Sequence, residues 1–331
     1  MAGLGRMGMR HARNLATRVR NADLVALCDP SSETRARAAS ELGVADTYSD
    51  YAALLRHPGL DAVFLATPTS EHAEQIIAAL DAGKHVFSEK PTSLQLDQCK
   101  RVEAAAARHP RQKAMIGYVR RFDPSYRDAY DKVQKGLIGT PFMVRSQTAD
   151  LNDPSGFFVQ YAAHSGGIFL DMSVHDIDVA RWFLGGPAAV RVYATGTVAV
   201  HEGLKSVGDL DNGIALCEFA NGKVACFQAS RTMAHGHETL TEVVGTQGRL
   251  TIGANPRLTR VDIADAHGMR NECTPTFYER FEPAFVEELD AFVDAIAQDR
   301  ALPLTLADAT EATRIAIAIQ ASIRERRSVE L

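Results

Sequence analysis

The sequence predicts an α/β protein of two domains: a doubly wound parallel sheet over residues 1–118, then an α/β domain over 119–331 with a large open, mainly antiparallel sheet. Three observations predict this. The first third alternates short apolar runs with helical patterns, as consecutive βαβ units do. After residue 119 the apolar runs lengthen and Asn221-Gly222 supplies a strong hairpin signal. Finally, 331 residues with 46% hydrophobic content exceed one typical domain and support a core in each of two.

In chain order, LVALCD (24–29), AVFLAT (62–67), HVFSEK (85–90) and KAMIGYV (113–119) read as strands of the first domain. The first three end in polar residues at their carboxyl ends, where ligands collect in open α/β sheets. Between the second and third, Thr69 or Ser70 is expected to cap a helix whose apolar Ile76, Ile77 and Leu80 recur at helical spacing before Gly83 closes it. The strands PFMVRSQTA, AVRVYATGTVAV, GIALCEF and KVACFQAS form the second sheet. DMSVHDIDVARWFL (171–184) interrupts them as one amphipathic helix that turns Met172, Val179 and Phe183 to a core. AFVEELDAFVDAIAQD and LADATEATRIAIAIQASIRERR are helical in pattern, with a basic last turn.

A net charge of -5 offers no field to attract a polyanion, so nucleic acid is not an expected partner. There is no apolar run of membrane-spanning length and no signal-peptide pattern, so no membrane partner is expected either. The five cysteines include no CxxC pair and fit a reducing compartment, so the expected location is the cytoplasm. Cys217 and Cys226 lie symmetrically about Asn221-Gly222; paired small apolar residues across a hairpin are favoured there over a regulatory disulfide.

Three motifs carry chemistry. GLGRMG (Gly3, Gly5, Arg6, Met7, Gly8) matches G-x-G-x-x-G, in which glycines admit a pyrophosphate to a helix N-terminus. Asp29 follows at the end of a strand, where a carboxylate accepts both ribose hydroxyls of NAD and repels a 2′-phosphate. An ordinary glycine turn is the bland alternative, weakened by Asp29. Ser88-Glu89-Lys90-Pro91 ends the strand that begins at His85; Lys90 projects over the nicotinamide site or is a solvated surface lysine, and Pro91 fixes the turn. In Asp171-Met172-Ser173-Val174-His175, a continuous helix puts Asp171 and His175 on one face at i and i+4. Both then converge on one substrate hydroxyl, with histidine suited to take its proton near neutrality; a helix cap and a core histidine are the alternative.

Only Met1 and Ala2 precede Gly3, so the central first strand of such a sheet is missing from the sequence, and the expectation is a start upstream of Met1.

The order of these motifs, with the stretches ALCDP, LATPTSEHAEQIIAALDAGKHVFSEKP, IGYVRRFDPSY, SGGIFLDMSVHDIDVARWFLG and EVVGTQGRL, resembles the Gfo/Idh/MocA oxidoreductases over nearly the whole chain, nearest the inositol 2-dehydrogenases among them. The resemblance implies a Rossmann domain followed by an α/β domain, an active site between the two, NAD as cofactor, and dimers or tetramers formed through sheet faces. It also implies oxidation of a secondary hydroxyl of a cyclic polyol such as an inositol to a ketone, with His175 as general base, Asp171 orienting it or the substrate, and Lys90 hydrogen-bonded to the reacting hydroxyl. Arg120 would contact substrate hydroxyls, as would Asn152 or Asp153. Thr67, Pro68 and His72 would line the cofactor cleft, with Glu89 facing the nicotinamide side.

Where many inositol dehydrogenases carry a Tyr-Gly-Tyr-like segment, this chain has His235-Gly236-His237. His235 is therefore a candidate substrate contact, and an aldose or anhydrosugar stays open as substrate. A non-catalytic dinucleotide sensor is the alternative of another class, opposed by the retained Lys90, Asp171 and His175. His235, His237 and Glu238 lack a third metal partner of known proximity, and no metal is expected.

Overall fold

The computed structural model describes residues 1–331. The chain folds as two compact units, one of Met1–Phe122 with Pro283–Thr310 and the other of Asp123–Glu282 with Glu311–Leu331. Residues 283–310 thus return to the first unit, unlike a single cut after residue 118.

The first unit contains α1 (Arg6–Thr17), β1 (Ala26–Cys28), α2 (Ser32–Leu42), β2 (Asp46–Tyr48), α3 (Tyr51–Leu55), β3 (Ala62–Leu65), α4 (Thr69–Asp81), β4 (His85–Glu89), α5 (Leu96–Arg108) and β5 (Ala114–Gly117). β1 pairs with β2, and β3, β4 and β5 pair in turn, all in parallel. Met1–Gly3 joins the two groups: Ala2 bridges Cys28 on one side and Leu65 on the other. It is hydrogen-bonded on both sides, through Ala2 N–H to the Phe64 carbonyl at 2.8 Å and Gly3 N–H to the Cys28 carbonyl at 2.9 Å. Three residues thus occupy the carboxyl end of the strand that the sequence appeared to lack. Side by side the order becomes β2-β1-Ala2-β3-β4-β5, a doubly wound arrangement with its glycine loop at the central position.

The expected strands are present but shorter, spanning 26–28, 62–65, 85–89 and 114–117. α4 begins one residue earlier than a Thr69 cap requires: Pro68 is its N-cap, its rigid φ entering the helix without a side-chain hydrogen bond. Phe64, Phe87 and Phe292 pack with centroids 5.5–5.9 Å apart. Burying a ring of this kind stabilises by about 1.5–3 kcal/mol. Phe292 comes from the returning segment, which therefore belongs to this core.

The second unit contains α6 (Pro124–Gln134), β6 (Pro141–Leu151), α7 (Phe157–Ser165), α8 (Ile168–Asp171), α9 (Val174–Leu184), β7 (Ala189–Thr197), β8 (Asn212–Phe219), β9 (Val224–Met233), β10 (Glu238–Gly245), β11 (Gly248–Ile252) and a small hairpin of β12 (Ile263–Asp265) and β13 (Gly268–Arg270). α10 (Phe277–Ala297), α11 (Leu306–Glu325) and β14 (Val329–Glu330) complete the chain. The seven-stranded sheet runs β11-β10-β6-β9-β8-β7-β14, antiparallel except for β6 with β9. α9 is anchored on it by Asp176, which is fully buried and accepts from Ser146 Oγ and Thr148 Oγ1 at 2.6 Å each. Along β8 and β9 the burial alternates, so one face meets helices and the other meets solvent.

Two expectations fail here. The run 171–184 is not one helix: α8 ends at Asp171, Met172 and Ser173 form a turn, and α9 starts at Val174. Ser173 holds ψ near -3°, which breaks the helical ladder between the two pieces. Cys217 and Cys226 do not face each other either; Cys217 pairs with Ala225 and Leu216 with Cys226. Phe219 bonds Lys223 across a loop in which Gly222 takes φ +76°, one residue longer than a two-residue Asn-Gly turn. That shift sends the two thiols to opposite sheet faces.

Candidate active site

In the first unit, α1 starts directly after the glycine loop, with Gly5 as N-cap and no side chain satisfying the first amides. A Cβ on Gly8 would lie 1.8 Å from the Gly3 carbonyl oxygen, and one on Gly3, at φ +80°, would lie 2.5 Å from the Ala66 oxygen. Gly5 has open space, with no atom within 4 Å of its added Cβ. Two glycines therefore pack loop, helix and strand together, while the third leaves the helix N-terminus accessible to a phosphate.

Asp29, at the end of β1, accepts the Leu4 N–H on one oxygen and the Ser31 N–H on the other, both at 2.9 Å. It borders a cleft of about 430 Å³ with Gly5, Arg6 and Arg37. This cradle fits a dinucleotide: open amides for the diphosphate and a fixed carboxylate for ribose hydroxyls.

The loops after β3 and β4 are tied together by His72. Its ring nitrogens lie 2.9 Å from the carbonyls of Thr67 and Pro91, and its side chain is buried. Burial pushes its pKa below the ordinary histidine value, although both carbonyls and Glu89 pull the other way. Thr67 Oγ1 donates to Gln75 at 2.6 Å, and Pro68 is exposed. His72 therefore acts here by holding both loops in place.

β4 delivers Glu89 and Lys90, and the Lys90–Pro91 bond is cis. Glu89 faces α1: one oxygen lies 2.6 Å from His11 Nε2 and the other accepts the Lys90 N–H at 3.2 Å. Glu288 of α10, wholly buried, completes a trio whose ligand-type atoms lie within 4.8 Å of one another. Burial, and then the charge of Glu89, raise the Glu288 pKa well above the usual carboxylate range, which favours its neutral form. Burial opposes ionisation of Glu89 too, but the hydrogen bond and charge of His11, with Lys90, outweigh it and hold Glu89 below its ordinary value.

The 2.6 Å contact is a hydrogen bond. A tetrahedral zinc with bonds of about 2.0–2.2 Å spaces two ligands roughly 3.3 Å apart. Within the trio, His11 and Glu89 are therefore joined directly by a hydrogen bond, with Glu288 packed beside them.

Glu288 contributes stability that is complete below its ordinary value of 4.5 and is lost as pH rises through its raised folded-state value. Glu288→Gln is therefore expected to match the wild type in acid and exceed it in alkali. Melting temperatures from about pH 4 to about pH 9 check this, and parallel curves would contradict it.

In the second unit, Asp171 and His175 are both half-buried. The break between α8 and α9 places them on separate helical pieces. Asp171 Oδ2 accepts from Arg231 Nη2 at 2.8 Å, and Arg231 Nη1 lies 3.4 Å from Asp209. Arg120, in the first unit, is buried on a 3-10 turn, Val119–Phe122. Asn152 donates its backbone N–H to Met233, and its buried Oδ1 has no protein partner.

The two histidines of the His-Gly-His segment diverge. His235 is exposed and pairs with Glu238 at 3.2 Å, while His237 is buried, 2.7 Å from Asp150 and edge-on to Phe277 and Phe281.

Sequence reasoning missed His11, Glu288, Asp209 and Arg231. A signal existed for Arg231, a charged residue just after the apolar strand KVACFQAS, and for His11, one helical turn beyond Gly8.

The fold and this site define a nicotinamide-dependent oxidoreductase of two α/β units. Residues 1–118 match the oxidoreductase family with an NAD-binding Rossmann fold, and residues 126–251 match the C-terminal domain of the same family. The chain belongs to the Gfo/Idh/MocA oxidoreductases. It is 37% identical over 332 residues to scyllo-inositol 2-dehydrogenase (NAD(+)) of Bacillus subtilis, covering 99% of this chain and 94% of that protein. It is 34% identical to myo-inositol 2-dehydrogenase of Thermotoga maritima, covering 99% of this chain and 97% of the relative. Among solved structures, scyllo-inositol dehydrogenase from Lactobacillus casei with bound NAD(H) and scyllo-inositol superposes with a TM-score of 0.96 at 37% identity, covering 99% of this chain and 97% of that one.

Proposed function

We propose that this protein is an NAD-dependent dehydrogenase that oxidises a secondary ring hydroxyl of an inositol to a ketone, with Lys90, Asp171 and His175 as its catalytic group. The observation that carries the reading is the full-length likeness to a dehydrogenase holding NAD(H) and scyllo-inositol. Gly3, Gly5, Arg6, Met7, Gly8 and Asp29 hold the dinucleotide, together with Thr67 and Pro68. His72 and Glu89 fix the loops on its nicotinamide side. When bound, NAD supplies the acceptor for the hydride that leaves the ring carbon.

His175 takes the hydroxyl proton, a task for which an imidazole is suited near neutrality. Asp171, held by Arg231, orients that exchange. Lys90 donates a hydrogen bond to the same oxygen, and its charge stabilises the negative character that develops there. Arg120, Asn152 and His235 bind the remaining hydroxyls.

Initial rates of NADH and NADPH formation against a panel of inositols and aldoses test this. Turnover of an inositol with NAD is expected, and its absence with NAD still bound would overturn the reading. The exposed His235–Glu238 pair favours a second reading, an aldose or anhydrosugar ring, because it sets a hydrogen-bonded polar pair at a candidate hydroxyl contact. The same panel separates the two.

We also place the protein in the cytoplasm as a homodimer or homotetramer. Five free cysteines support the reducing location, and no helix is long and apolar enough to cross a membrane. Tyr193, Ile214 and Leu216 stand exposed on adjoining strands of the open sheet face, an apolar patch that a second copy covers. Light scattering is expected to give a multiple of 35.9 kDa, reduced by Leu216→Arg; a monomer mass for the wild type would refute the assembly.

A further inference from the structure

Arg231, on β9, has no exposed surface and is one of the largest side chains in the chain to be fully buried. A guanidinium in that position is costly unless paired and hydrogen-bonded. Its fork meets two carboxylates, Asp171 Oδ2 at 2.8 Å and Asp209 Oδ2 at 3.4 Å, and its Cζ lies 5.3 Å from the centre of the Phe158 ring. Asp209, 4% exposed, uses its other oxygen to accept the Ile168 N–H at 2.9 Å.

Ile168 opens α8 and Asp171 ends it, so one guanidinium–carboxylate pair grips both ends of this single helical turn. The backbone is fixed as well: Arg231 N–H donates to the Asp211 carbonyl at 2.8 Å, and the Asp211 carboxylate accepts the N–H groups of Ala199, Val200 and His201.

We propose that Arg231 is a positioning residue of the reaction, acting through Asp171: with Asp209 it clamps α8 and fixes the orientation of the Asp171 carboxylate. The proposal rests on the reading that Asp171 belongs to the catalytic group. Asp171 closes a four-residue helix, and the turn at Met172–Ser173 follows it before α9 begins. Misplacing a reacting group by about 1 Å costs roughly 100-fold in rate. Lysine at 231 would keep the charge, but a single ammonium cannot bridge two carboxylates as the planar fork does.

The test is a double-mutant cycle of Arg231→Lys and Asp171→Asn, with kcat, the polyol KM and the NAD dissociation constant measured for all four proteins. R231K alone is expected to lower kcat about 10- to 100-fold, with KM and NAD affinity within about twofold. In the D171N background, R231K should cost less than about threefold more. A kcat for R231K within about twofold of wild type, or fully additive losses, would overturn the proposal.

Asp209→Asn, nearly isosteric, loosens the same clamp and keeps the cycle available if R231K does not fold. Hydrogen exchange supplies a readout independent of turnover. The amides of 168–172 should exchange faster in R231K or D209N, while β8 and β9 keep their protection; unchanged exchange at 168–172 would overturn the clamp itself. A wild-type enzyme inactive on every polyol, but with faster exchange in the variants, would refute Asp171's assigned role and leave the clamp standing.

Discussion

Replacing Lys90 by Met is expected to reduce turnover about 10³-fold or more while leaving NAD affinity within about twofold. The side chains have similar length and apolar stems, so the substitution removes the ammonium and little else. The backbone around it stays held from three sides: Glu89 accepts the Lys90 N–H, His11 holds Glu89, and His72 sits against the Pro91 carbonyl. The dinucleotide cradle at the glycine loop and Asp29 does not include the Lys90 side chain, so binding survives. What is lost is the donor to the reacting oxygen and its positive charge. Equal turnover by wild type and variant, with NAD binding intact, would remove Lys90 from the catalytic group. Loss of NAD binding together with turnover would instead make Lys90 a cofactor-holding residue.

How far the sequence revealed this site depended on the kind of constraint each residue obeys. Gly3, Gly5, Gly8 and Asp29 answer to backbone geometry within one βαβ unit, so their spacing alone exposed them. The open second sheet was legible for the same reason, since strand alternation and turn residues are local. The partners of the named residues were not. His11 reaches Glu89 across 78 positions, and Arg231 reaches Asp171 across 60, and no local pattern encodes either pairing.

Two local expectations failed through small geometric differences. The helix over 171–184 breaks at Met172 and Ser173, where no proline or glycine marks the interruption. The Asn221-Gly222 hairpin closes one residue away from its expected register, which moved two cysteines to opposite faces. At the start of the sequence, Ala2 pairs with both neighbouring strands where the glycine loop begins.

The same loop gives the second large effect. Gly8→Ala is expected to destabilise the first unit by about 3 kcal/mol or more and to abolish NAD binding, whereas Gly5→Ala should leave the melting temperature nearly unchanged and weaken NAD about tenfold or more. At Gly8 the new methyl would stand 1.8 Å from the Gly3 carbonyl oxygen and 2.7 Å from its carbon. Those are backbone atoms, so no side-chain rotation relieves the clash.

Gly3 cannot retreat easily. Its N–H is bonded to the Cys28 carbonyl, and its own Cα approaches Ala66 so closely that an added Cβ would lie 2.5 Å from the Ala66 oxygen. The strain therefore passes into the strand pairing on both sides of Ala2. At Gly5 a methyl meets no protein atom within 4 Å and enters only the space by which a diphosphate reaches the α1 amides. Thermal melting and NAD titration of both variants separate packing from binding. A Gly8→Ala protein with wild-type melting would show that the loop and α1 can part without cost, and a Gly5→Ala protein with wild-type NAD affinity would show that the diphosphate does not approach that N-terminus.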